Sequence, residues 1–74
     1  MRQYESIAIC AKRIAHAAKM GGYQFETNID PDSLHLQQPL SELEATETAA
    51  RIILQGHKPP KICESKMGGW IIKH

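Results

Sequence analysis

Ser41 to Gly56, S-E-L-E-A-T-E-T-A-A-R-I-I-L-Q-G, is the stretch around which the rest of the sequence arranges itself. Ser41 precedes Glu44 by three residues, the spacing of a capping box, in which each side chain accepts from an orphan backbone amide of the first turn. Glu42, Glu44 and Glu47 put negative charge at the positive end of the helix dipole, and Arg51 lies toward the other end. Gly56 can turn left-handed and stop the helix. Leu43, Thr46, Ala50 and Ile53 fall on one stripe, widened by Ala49 and Leu54. The pattern predicts a helix over 41–55. Its residues build structure; none of them announces chemistry.

Upstream, Tyr4, Ile7, Ala11, Ile14 and Ala18 recur at steps of three and four, flanked by Ala8 and Ala15. That is a helix over 3–20, ended by Gly21-Gly22. Lys12, His16 and Lys19 share the adjacent polar face, while Ile9 and Met20 lie away from the stripe and are candidates for a partner contact. From Gly22 the period becomes two: Tyr23, Phe25 and Thr27 alternate with Gln24, Glu26 and Asn28, as in a half-buried strand. Residues 28–33 are dense in turn formers, and Leu34 and Leu36 then alternate with His35 and Gln37 as far as Pro39. A hairpin over 22–38 follows; its rival is a short helix with Asp30 as N-cap and Pro31 in first position.

Downstream, Pro59-Pro60 forces an extended entry. Lys61–Ser65 and Trp70–Lys73 read as strands around the loop Lys66-Met67-Gly68-Gly69. The expected fold is α+β in the order αββαββ. Two helices pack on one face of a small antiparallel sheet of two hairpins, all in a single domain over 1–74.

Composition sets the limits. A chain of 74 residues is near the smallest that one core can hold, which makes self-association as a homodimer one expectation. The 42% apolar and 23% charged content is that of a globular protein, and with only four aromatics the core must be mostly Ile, Leu and Ala. The apolar run Ile7–Ala18 is interrupted by Lys12, Arg13 and His16 and is too short for a bilayer, so no membrane association is expected. Two cysteines, Cys10 and Cys63, are too few for a disulfide framework and point to reduced thiols in a cytoplasmic protein. Charge is segregated. Six acids and no Lys or Arg lie between Met20 and Ala50, while the flanks hold all nine bases against Glu5 and Glu64, so the net +1 divides into −6 and +7. Such asymmetry bears on association rather than on fold.

Catalytic and cofactor chemistry find little to use. The eligible metal ligands Cys10, His16, His35, His57, Cys63 and His74 come no closer than six residues apart, whereas structural zinc sites use pairs two to five apart. Neither cysteine is placed beside a base, and Asp30, Asp32 and the helix glutamates are accounted for by turns and capping. Gly21-Gly22 and Gly68-Gly69 lack the frame of a phosphate loop. No enzyme, metal or cofactor is expected. Basic residues crowd the last 18 positions: His57, Lys58, Lys61, Lys66, Lys73 and His74, with Trp70 among them, a combination suited to phosphate contact and base stacking.

The run R-I-I-L-Q-G-H-K-P-P-K-I-C-E-S-K-M-G-G-W-I-I, Arg51 to Ile72, resembles the end of small excisionase-like winged-helix DNA-binding proteins, though no short first helix of a helix-turn-helix precedes Ser41. The resemblance implies Arg51 on a recognition helix and Lys61 and Lys66 in a wing touching phosphate. Two functional expectations result. The leading one is a non-catalytic protein-binding or regulatory module whose acidic edge (Glu26, Asp30, Asp32, Glu42, Glu44, Glu47) faces a basic partner. The alternative is a small DNA-binding protein using Arg51, Lys58, Lys61, Lys66, Trp70 and Lys73.

Overall fold

Ser41 caps as its spacing requires. Its hydroxyl accepts from the Glu44 amide at 3.2 Å, and the Glu44 carboxylate accepts from the Ser41 amide at 3.0 Å. In the computed structural model, which describes residues 3–32 and 39–73 (3–5 by backbone alone), this box opens a helix at Glu42. Four elements are present: α1 (Gln3–Lys19), α2 (Glu42–Leu54), β1 (Lys61–Glu64) and β2 (Trp70–Lys73). The class is α+β, with two helices and one two-stranded antiparallel sheet.

α2 is more deeply buried than an amphipathic stripe allows. Every residue from Ala45 to Ala50 is buried, and Ile52 with them, whereas Leu43 and Leu54 remain 44% and 40% exposed. The expected stripe is therefore displaced, because α2 is covered from several sides. α1 packs along it through Ile7, Ala11 and Ala15, β2 contributes Trp70 and Ile72, and the segment after α1 is hydrogen-bonded to Glu47 and Arg51. The small side chains of Ala45, Ala49 and Ala50 let these neighbours approach closely.

β1 and β2 pair in the register Lys61↔Lys73, Ile62↔Ile72, Cys63↔Ile71 and Glu64↔Trp70. Ile72 is buried and Ile62 half-buried, so Lys61 and Lys73 share the opposite, outer face. Leu40 acts as a one-residue third strand, exchanging two 2.8 Å backbone bonds with Trp70. Gly69 sits against this bridge with φ 85°, and a Cβ there would lie 2.8 Å from the Leu40 carbonyl oxygen. Gly68, at φ 90°, meets nothing within 4 Å. Gly69→Ala is therefore expected to cost about 3 kcal/mol, left-handed strain plus overpacking, and Gly68→Ala only about 1 kcal/mol, strain alone. Urea midpoints measure both; equal losses would exclude the contact with Leu40 as the cause.

The first hairpin is corrected. Among the described residues of 22–32 there is no strand, and the expected strand around Leu34 and Leu36 lies outside the described residues. The alternation itself is present: Tyr23, Phe25 and Thr27 are half-buried, and Gln24, Glu26 and Asn28 are exposed. A ladder does not form because the amides of Glu26 and Thr27 donate to the Glu47 side chain and the Thr27 carbonyl accepts from Arg51. At Asp30 the helical rival describes the start better. The Asp30 carboxylate accepts from the Asp32 amide at 3.0 Å, and a 3₁₀ turn begins at Pro31.

Candidate functional site

Glu47 is at 0% exposure on the middle of α2. Its carboxylate accepts from the Tyr23 hydroxyl, the Glu26 amide at 3.0 Å, the Thr27 amide at 2.7 Å and the Thr27 hydroxyl at 2.8 Å. Burial by itself pushes the carboxyl up, but these donors outweigh it and hold the pKa down at about 2. Tyr23 is pushed the other way, to about 12, first by its bond to Glu47, then by burial and the charges of Glu47 and Glu26. One turn on, Arg51 Nη2 donates to the Thr27 carbonyl at 2.6 Å, and the guanidinium lies 4.3 Å over the Phe25 ring. The two side chains together strap residues 23–27 onto α2.

Several residues of both candidate sets are engaged within the fold. Of the acids, Glu47 is internal, Glu44 is in the capping box and Asp30 caps its own turn, while Glu26, Asp32 and Glu42 are exposed. Of the bases and their aromatic, Arg51 points into the strap and Trp70, at 7% exposure, belongs to the core. Arg51, which the resemblance placed on a recognition helix, is engaged within the fold by the Thr27 carbonyl and the Phe25 ring. Lys58, Lys61, Lys66 and Lys73 are exposed.

Three of those lysines are brought together. His57, Lys58, Pro59, Pro60, Lys61 and Lys73 line a shallow groove of about 430 Å³, and among the described residues no acid lines it. Lys66 lies at the far end of the hairpin, in its turn. Lys61 directly opposite Lys73 places like charges on one cross-strand pair, an arrangement that destabilises a sheet. The Pro59-Pro60 step separates Lys58 from Lys61, and all four residues line the groove.

A second depression, also about 430 Å³, is lined by Lys12, Ala15, His16, Lys19, Ile53, Leu54 and Gly56. In the sequence this cationic rim is only one polar helix face, and the spacing of 12, 16 and 19 is its signal. Among the described residues no group of three or more His, Cys, Asp or Glu gathers around a metal position, and Cys10 and Cys63 are free and exposed. Among the described residues no helix is long and apolar enough to cross a membrane. No family model, curated protein or solved structure matches the chain.

Proposed function

We propose that this protein is a non-catalytic module that binds duplex nucleic acid through the groove formed by Lys58, Lys61 and Lys73. The observation that carries the reading is the Lys61↔Lys73 pair, with Lys58 beside it and no acid among the described lining residues. A surface that accepts mutual repulsion between two ammonium groups gains stability when an anion sits between them. A protein partner at the acidic edge has less support, since Asp30, Glu44 and Glu47 are already engaged within the fold.

The groove favours a duplex over a single strand. Binding single strands draws on aromatic platforms for stacking, and of the aromatic side chains the structure describes, Trp70 is in the core, Phe25 lies under Arg51 and the Tyr23 hydroxyl is held by Glu47. The contacts left are ammonium to phosphate, which position a protein without reading sequence. A mixed-sequence DNA duplex is therefore expected to bind with Kd on the order of 10 μM at physiological salt, within the non-specific range. Lys61→Glu with Lys73→Glu should weaken that by on the order of 100-fold, since two phosphate contacts become repulsions. Fluorescence anisotropy measures both, with circular dichroism to verify the fold. An unchanged Kd in the double variant would sink the reading.

A further inference from the structure

We infer that helix α1 completes this site, with Lys12 and Lys19 continuing the phosphate track from the hairpin across Gly56 and His57. The inference rests on the duplex-binding reading of the hairpin groove. The two depressions meet at consecutive residues: Gly56 lines one and His57 the other. α1 also packs against β1, the strand that carries Lys61. Lys12 and Lys19 are seven residues apart, two turns of helix, so they project from one face about 10 Å apart.

Helix-end electrostatics account for only part of this rim. His16 and Lys19 lie in the last turn of α1, where cations complement the carbonyl end of the dipole. Lys12 is two turns earlier, beyond the reach of that effect, yet it edges the same depression. The floor of Ala15, Ile53 and Leu54 is apolar, a surface on which the methylene stems of the two lysines can lie while their ammonium groups reach outward. Gly56, at φ 88° with nothing within 4 Å of a Cβ position, leaves the passage between the depressions without a side chain. Among the described residues neither depression is lined by an acid, so their charged lining is cationic throughout. A continuous cationic track is complementary to the backbone of a duplex, which carries one charge per ~1.7 Å of axis.

The salt dependence of binding counts the phosphates contacted, at about 0.9 per contact in the slope of log K against log salt. With Lys12, Lys19, Lys58, Lys61 and Lys73 engaged, a labelled mixed-sequence DNA duplex should give a slope of about −4.5. Lys12→Gln with Lys19→Gln should reduce it to about −2.7, and Lys12→Arg with Lys19→Arg should leave it near −4.5. All four sites of substitution on α1 and the hairpin are exposed, and circular dichroism verifies that each variant folds. A wild-type slope already near −2.7 and indifferent to the α1 variants would overturn the inference while leaving the hairpin groove intact. Absence of salt-dependent binding in wild type would overturn the duplex reading and the inference with it. Displacement of the duplex by oligoglutamate at equal charge concentration would overturn both in favour of an acidic protein segment.

Discussion

Glu47→Ala is expected to abolish cooperative folding. The substitution removes the shared acceptor of the Tyr23 hydroxyl, the Glu26 and Thr27 amides and the Thr27 hydroxyl, all part-buried. Donors left without an acceptor in such a place cost about 1–3 kcal/mol each when water cannot reach them, and breaking a buried charged network costs about 3–5 kcal/mol as a whole. A chain of this length holds only on the order of 4–11 kcal/mol in total. Urea titration followed by far-ultraviolet circular dichroism should show no sigmoidal transition for the variant. Glu47→Gln keeps the volume but turns one acceptor into a donor facing donors, so it should fall between wild type and alanine. A loss below about 1 kcal/mol for Glu47→Ala would mean that the segment 23–27 is held by something else.

The same carboxylate should make the fold sensitive to acid. Its pKa is about 2 in the folded chain against an ordinary 4.5, so the folded state binds this proton more weakly than the unfolded chain. The stabilisation is therefore complete above pH ~4.5 and is lost as pH falls toward ~2, amounting to about 3 kcal/mol. Tyr23 supplies the opposite limb. Its phenol is held protonated to about 12 against an ordinary 10.0, so that contribution is whole below pH ~10 and fades as pH rises through ~12. Urea midpoints measured across the acid range should fall for wild type and stay flatter for Glu47→Gln. Parallel curves for the two proteins would remove Glu47 as the source.

What the sequence made legible was what local chemistry decides. The capping box of Ser41 and Glu44, the stop at Gly56 and the double-glycine turn before Trp70 each act within a few residues, and α2 and the β1–β2 hairpin appear where those signals put them. The alternation from Tyr23 to Asn28 is equally local and equally real, but what it pairs with is not. A strand and a strap over a helix share the same in-and-out period; only the partner's identity separates them, and that partner, Glu47, lies 20 residues beyond Thr27. Glu47 also stands in a run of acids that the helix dipole explains, so its burial was masked by a sufficient reason for it to be exposed. Its immediate neighbours, Ala45, Thr46, Thr48, Ala49 and Ala50, were the available hint, since small side chains on every side of an acid leave room for other chain to cover it. For the basic groove, Lys61 and Lys73 become a pair only through strand register, and Lys12 and Lys19 are brought to its neighbourhood only through tertiary packing.

The bridge between Leu40 and Trp70 ties together two elements that are each closed locally. α2 and the β1–β2 hairpin are each closed by contacts between near neighbours, so each can form and dissolve on its own early in folding. The bridge joins the residue just before the capping box to the first residue of β2, and it needs both elements to be already in place. It is a clasp rather than a nucleus. It joins the residue before the Ser41 cap of α2 to the strand that bears Lys73, so that displacement of β2 is felt at the first turn of the central helix.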